Sequence, residues 1–77
     1  MYKLYRTIVV TTVGHENIRW KYTESFNSTL DPKYHELINM IEDHHGDWIL
    51  VDNVSKRVKF SSQPNFIGFT FDGNHLK

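Results

Sequence analysis

The most constraining feature of the sequence is one amphipathic helical segment with β-type sequence on both sides of it. Asp31 is a good N-cap, and Pro32 suits the first helical position because its missing N–H leaves no helical hydrogen bond unmade there. Gly46 is typical of a left-handed helix stop. Between these ends, residues of one buried stripe recur at the i, i+3, i+4, i+7 spacing, namely Tyr34, Leu37, Ile38, Ile41 and His45. The pattern predicts a single central helix that packs this stripe on a sheet.

Two strands are expected before the helix. Residues 2–13 are dense in β-branched and aromatic side chains, and residues 18–26 alternate between apolar and polar. The short turn segment 14–17 predicts an antiparallel hairpin in which Gly14 adopts a positive φ. The alternation places Ile18, Trp20, Tyr22 and Phe26 on one face of the second strand, and Arg19, Lys21, Thr23 and Ser25 on the other.

Three strands are expected after the helix. Residues 48–54 are apolar on both faces, which indicates a central strand that either turns at Asp52-Asn53 or continues to Val54. Residues 56–61 and 66–71 supply the fourth and fifth strands, and Gly68 indicates a bulge or a close backbone approach. The expected fold is therefore α+β with the order ββαβββ. A largely antiparallel sheet carries one helix on one face, in a single domain over residues 1–77.

Composition limits the chemistry that the chain can perform. The 77 residues include no cysteine, which excludes disulfides and thiolate zinc sites. Nine basic residues balance nine acidic ones, and this zero net charge argues against nucleic-acid binding by bulk charge. No segment has the pattern of a secretory signal or a membrane span, so we expect a cytoplasmic protein that does not bind membranes.

Catalytic and metal-binding patterns are weak. No serine lies in a Gly-x-Ser-x-Gly elbow, and the four glycines stand apart from one another. The segment Asp43-His44-His45-Gly46-Asp47 holds side chains that can bind metal, but a solvated helix end explains the same residues. We therefore expect no enzyme activity, no cofactor and no metal.

The basic residues concentrate in the strands, whereas the acidic residues concentrate on and after the helix. The alternation predicts that five side chains share the sheet face opposite the helix, namely Arg19, Lys21, Arg57, Lys59 and Tyr5. A basic sheet face that carries an aromatic ring can bind single-stranded nucleic acid. A solvated outer face is the simpler interpretation, because a one-layer sheet needs polar residues there.

Aromatic residues are numerous for a domain of this size, and one helix can cover only one face of the sheet. Four aromatic residues are candidates for an exposed hot spot: Tyr2, Trp48, Phe66 and Phe69. Such residues suit a protein-binding site or a homodimer seam. The alternative is that they fill a small core.

These observations favour a small non-enzymatic binding module with a protein as its partner, acting as a regulator or inhibitor. A small chain without cysteine is typical of the products with which phages and mobile elements disable a host protein. Single-stranded nucleic-acid binding through the basic face is the alternative function.

Overall fold

The computed structural model describes all 77 residues and contains one antiparallel sheet of four strands together with one α-helix. The elements are β1 (Tyr2–Thr12), β2 (His15–Phe26), α1 (Pro32–Asp43), β3 (Trp48–Asp52) and β4 (Val58–Ser61). Their order in the sheet is β2-β1-β3-β4, and every neighbouring pair is antiparallel. The predicted α+β class, with an antiparallel sheet and one helix, is confirmed. None of the helices has the length and apolar character that a membrane crossing requires.

Strand β3 is an inner strand with apolar side chains on both faces, as its sequence predicts. Trp48 and Leu50 belong to the core under α1, whereas Ile49 and Val51 belong to a second core on the opposite face. All four side chains are buried. The strand ends at Asp52, which decides the open question of where β3 stops.

The β3–β4 turn explains that end point. The Asp52 carboxylate accepts hydrogen bonds from the backbone N–H groups of Val54 (2.8 Å) and Ser55 (3.2 Å). These two bonds hold the pKa of Asp52 below its usual value. The chain therefore turns directly after Asp52, and Val54 lies outside the strand.

Helix α1 begins as predicted and ends differently. The Asp31 side chain accepts the N–H of Lys33 at 2.9 Å, which is the expected N-cap bond. At the other end His45, with φ of 57°, is the left-handed residue, and the N–H of Gly46 donates to the carbonyl of Ile41 at 2.9 Å. The expectation that Gly46 supplies the left-handed stop is therefore wrong.

Gly46 instead packs closely against Ile41. A Cβ atom at this position would lie 3.1 Å from Cγ2 of Ile41 and 3.2 Å from its carbonyl oxygen. His45 is exposed, so the buried stripe of α1 ends at Ile41. The predicted inclusion of His45 in the stripe is wrong, because the left-handed φ takes this residue out of the helix.

A β-bulge divides β2 into two parts that present opposite faces. Pairing with β1 runs from Leu4 opposite Glu24 to Tyr5 opposite Tyr22, which leaves Thr23 as an extra residue. One extra residue reverses the alternation of all residues beyond it. In the sequence the one sign of the bulge is Glu24, a charged residue in the apolar series of positions 18, 20, 22 and 26.

The bulge overturns the predicted common face of the second strand. Phe26 packs in the core under α1, against the ring of Tyr34 at 5.6 Å between centroids. Trp20 packs on the opposite face, against Phe71 at 6.3 Å. Ile18 and Tyr22 alternate in step with Trp20 and therefore lie on that opposite face as well.

The chain after β4 crosses the second face of the sheet and returns to bond with the start of β4, without forming a fifth strand. It forms a 3₁₀ turn at Pro64–Phe66 and only isolated bridges at Arg57–Thr70 and Phe71–Leu76. Pro64 opens the 3₁₀ turn, and Gly68 reverses the chain with φ of 91°. The predicted fifth strand is thus wrong, and Phe71 fills the second core at 3% exposure.

Candidate functional site

The β1–β2 hairpin projects well beyond the rest of the sheet. β1 and β2 contain 11 and 12 residues, whereas β3 contains five and pairs only with Tyr2 to Arg6 of β1. Residues 8–19, here called the arm, therefore form a ribbon of two strands without neighbours. At about 3.4 Å per residue the five strand residues 8–12 extend it by roughly 17 Å. The arm fits the elongated molecule, which measures 40 × 26 × 20 Å.

A two-residue turn at Val13 and Gly14 closes the arm. Their φ angles are 47° and 79°, and two positive φ angles in succession are the signature of a type I′ hairpin turn. Gly14 adopts its predicted positive φ. The turn is tighter than the predicted segment 14–17, so β2 begins at His15 and the arm is longer than predicted.

One face of the hairpin carries exposed apolar side chains. Val9 and Ile18 are cross-strand partners and are 62% and 74% exposed. Tyr22 is 49% exposed, and Trp20 between them is half-buried. We call the following set the apolar strip: Val9, Ile18, Trp20 and Tyr22 from the hairpin, with Phe66 and Phe69 from the C-terminal segment.

Ring contacts link the aromatic members of the strip, directly or through Tyr5 and Phe71. Trp20 meets Phe66 edge-on, with centroids 6.3 Å apart and planes at 83°. Phe66 in turn lies 6.2 Å from Phe69. Tyr22 rests on Tyr5 at 5.8 Å, and Tyr5 contacts the buried Phe71 at 4.6 Å. Edge-to-face packing of this kind fixes the base of the strip, while its distal end is open to solvent.

The predicted basic face is not assembled. Arg19 is opposite Ile8, and Lys21 is opposite Arg6. Cross-strand partners share a face, and Arg6 and Ile8 alternate in step with Leu4 of the core under α1. Arg19 and Lys21 therefore point to the helix side of the hairpin, which contradicts the predicted placement. The bulge at residue 23 is the physical reason.

The other three members of the predicted face are separated from Arg19 and Lys21, although Tyr5 does lie on the face opposite α1, as predicted. Arg57 and Lys59 flank or belong to β4, at the opposite edge of the sheet from β2. Two strands intervene, and neighbouring strands are about 4.8 Å apart, which gives a separation of roughly 14 Å. Arg57 also donates to the carbonyl of Gly68 at 2.9 Å. Tyr5 packs in the second core, away from Arg19 and Lys21.

The four predicted hot-spot aromatics are mostly covered. Trp48 is 7% exposed and donates from Nε1 to the Glu42 carboxylate at 3.0 Å. Tyr2 packs against the core under α1, and Phe66 is half-buried against the second core. Phe69 remains 42% exposed and belongs to the strip.

Four hairpin residues of the strip are not among the predicted site residues, namely Val9, Ile18, Trp20 and Tyr22. Six consecutive β-branched residues, Thr7 to Thr12, precede the turn without any alternation between apolar and charged. Such a run indicates a strand whose two faces have similar polarity. In the arm neither face lies in a buried core, since Val9 and Thr11 are exposed and Ile8 and Val10 are half-buried.

Neither a ligand cavity nor a metal centre is evident. Three surface depressions have volumes of about 270, 290 and 240 Å³, just below the roughly 300–1,000 Å³ typical of small-molecule sites. No group of three or more His, Cys, Asp or Glu side chains is close enough to hold a metal ion. Asp47 instead accepts from Ser62 Oγ at 3.1 Å and Gln63 Nε2 at 3.2 Å.

No protein-family model, no curated protein and no solved structure matches this chain. The arm and the apolar strip are therefore the features from which a function can be inferred.

Proposed function

We propose that this chain is a non-enzymatic binding module that holds a protein partner against the apolar strip. The observation that supports the proposal is the exposure of Ile18 and Val9, at 74% and 62%, side by side on a projecting ribbon. Single exposed apolar residues are ordinary, but a contiguous patch that continues into aromatic rings is typical of an interaction surface.

The composition of the strip favours a protein over other partners. Trp20, Tyr22 and Phe69 offer large rings with few rotatable bonds, which is the residue type that dominates binding hot spots. Trp20 is already immobilised against Phe66 and Phe71, so little side-chain entropy is lost when a partner binds to it. The strip carries no charge, so we expect its binding to depend only weakly on salt.

The nucleic-acid alternative has no observation in its favour. Stacked bases require aromatic rings on the same surface as the cations that neutralise their phosphates. Trp20 and Tyr22 occupy one face of the hairpin, whereas Arg19 and Lys21 occupy the other. Arg57 and Lys59 belong to the opposite edge of the sheet.

A regulator or inhibitor of a cytoplasmic protein is the specific form that we propose. A projecting ribbon with an apolar face can enter a cleft or cover an apolar patch of its target without any chemistry of its own. The small size and the absence of cysteine support a phage-encoded chain directed at a host protein as one such inhibitor.

Affinity capture from native lysate tests the proposal, with each lysate divided into nuclease-treated and untreated halves. The baits are the wild-type chain, Ile18→Lys and Val54→Lys. Val54 is a matched control for Ile18 because it is also an exposed β-branched apolar residue, at 88%, and lies in the β3–β4 turn away from the strip. We expect one protein at near-stoichiometric amounts on the wild-type and Val54→Lys baits in both halves, and its loss from Ile18→Lys.

Two outcomes would overturn the proposal. Equal retention of the protein by Ile18→Lys would show that the strip is not the binding surface. Loss of the captured material on nuclease treatment would transfer the function to nucleic acid.

A further inference from the structure

The arm has an open main-chain edge on the β1 side. The N–H of Thr7 donates to the carbonyl of Asp47 at 2.9 Å, and this is the last backbone bond that β1 makes toward the β3 side. In a strand the N–H and C=O groups of one residue point to the same edge, and successive residues alternate between the two edges. The N–H and C=O groups of Val9 and Thr11 therefore point outward past Thr7, where no strand lies.

The other edges of the sheet are protected. On β4, Val58 donates to the carbonyl of Phe69 at 2.8 Å and accepts from the N–H of Gly68 at 2.9 Å, so the C-terminal segment covers this edge. β2 carries charged residues along its length, namely Glu16, Arg19, Lys21 and Glu24. Covering segments and charges are the usual means by which proteins prevent edge-to-edge pairing.

The β1 edge of the arm has neither protection. Thr7 to Thr12 are six β-branched residues without a charge, a proline or a bulge. β-Branched residues favour strand pairing. The one unpaired and unguarded edge of this sheet is therefore also its most strand-prone segment.

We propose that this edge pairs with the same edge of a second copy of the chain, antiparallel about a two-fold axis. Val9 then lies opposite Thr11 of the second copy, and Val10 lies opposite Val10. This register matches the outward N–H and C=O groups of each copy with those of the other. The inference goes beyond the proposed function, since it uses the edge of the arm and leaves the strip available to a target.

Two features favour a second copy as the occupant. An uncharged segment meets itself without the like-charge repulsion that a charged edge would impose. A two-stranded ribbon is only marginally stable in water, and pairing converts two such ribbons into one four-stranded sheet.

Disulfide trapping tests the register. The chain has no cysteine, so Val10→Cys introduces a single thiol. Val10 would face its copy in a non-hydrogen-bonded pair with Cα atoms about 4.5 Å apart, within the range that a disulfide bridges. Asn17→Cys is the matched control, because Asn17 is the cross-strand neighbour of Val10 on the outer strand of the arm. We expect rapid oxidation of Val10→Cys to a covalent dimer and none for Asn17→Cys. Equal cross-linking of both, or of neither, would overturn the proposal.

A pair of proline variants tests the edge by sedimentation of the free protein. Val9 and Ile18 are cross-strand partners whose N–H groups both point away from the hairpin, toward opposite edges. Val9→Pro and Ile18→Pro therefore leave the ladder inside the arm intact. We expect dimers for wild type and Ile18→Pro, and an affinity weaker by roughly tenfold or more for Val9→Pro, because two intermolecular hydrogen bonds are lost.

A monomeric wild type at about 100 µM, or equal dimerisation of the two proline variants, would contradict the inference. Sedimentation involves no target protein, so these results stand apart from the capture experiment. Circular dichroism of each variant checks that α1 and the sheet remain folded.

Discussion

Replacing Val13 by Asn is expected to stabilise the arm. Val13 opens the hairpin turn with φ of 47°, a left-handed conformation that crowds the Cβ of an L-residue and is rare for β-branched side chains. The left-handed region costs such a residue on the order of 1–2 kcal/mol. Asn tolerates this region, and Asn-Gly is the favoured pair for a type I′ turn. Val13 is 93% exposed, so its replacement loses no packing, and we expect a gain of about 1 kcal/mol.

Hydrogen exchange of backbone amides measures this gain where it arises. The arm is a ribbon without neighbours beyond Thr7, so it can open without unfolding of the sheet. A gain of about 1 kcal/mol lowers the open population roughly fivefold. Protection of the amides of Ile8 and Val10, which face β2, should rise by that factor in Val13→Asn.

Val54→Asn is the control for this measurement. Val54 is likewise an exposed turn residue, at 88%, but its φ is not positive. The same change of side chain at this site should leave protection of the arm unaltered. Unchanged protection in Val13→Asn, or an equal effect of the two substitutions, would refute the argument from backbone strain.

Three further predictions concern the core and α1. His45→Gly should stabilise the protein by about 1 kcal/mol, because His45 has φ of 57°. Gly46→Ala should destabilise it, because the new Cβ would lie 3.1 Å from Ile41. Urea unfolding measures both changes, and the same sign for both would contradict this prediction. Leu50→Ala, at a fully buried inner-strand position, should lower the urea-measured free energy of unfolding by about 2–5 kcal/mol, and a loss below about 1 kcal/mol would show that the core under α1 is loosely packed. Burial raises the pKa of Tyr34 to about 12, against about 10 in the unfolded chain. The stability that the buried neutral phenol contributes is therefore fully present below about pH 10 and is lost as pH rises through about 12. Tyr34→Phe should therefore flatten the fall of unfolding free energy over that window, and an unchanged slope would assign the alkaline loss to other groups.

The sequence predicted α1 and β3 because their limits and buried faces depend on capping residues and apolar patterns within each segment. The Asp31 cap and the apolar stripe place α1, and the double-sided apolar pattern of residues 48–52 places β3 inside the sheet. The helix stop was predicted one residue late, because a His-Gly pair can end a helix with either residue in the left-handed conformation. The structure selects His45, since Gly46 must pack against Ile41.

The bulge in β2 could not be predicted from the local sequence, because it depends on contacts that two of its residues make with residues elsewhere in the chain. Phe26 must reach the ring of Tyr34 under α1, while Trp20 must reach Phe71 on the opposite face. An extra residue at Thr23 satisfies both requirements. The one local sign is Glu24, a charged residue in the apolar series, whose carboxylate pairs with Lys33 at 2.8 Å. The misplacement of Arg19 and Lys21 and the missed apolar strip both follow from this change of alternation, whereas the strand order separates Arg57 and Lys59 from them.

The exposure of the arm follows from unequal lengths within the sheet. α1 covers one face, and the C-terminal segment covers the other only as far as Trp20, because Pro64 and Gly68 turn that segment across the sheet. β1 and β2 continue past both covers for about as many residues as β3 contains. Only 10 of the 77 residues are buried, so the core is small. The apolar residues of the arm would therefore add more to stability in the core than they do in an uncovered ribbon. Pairing of the β1 edge and binding at the strip would together cover this ribbon, which is the physical reason for assigning both interactions to it.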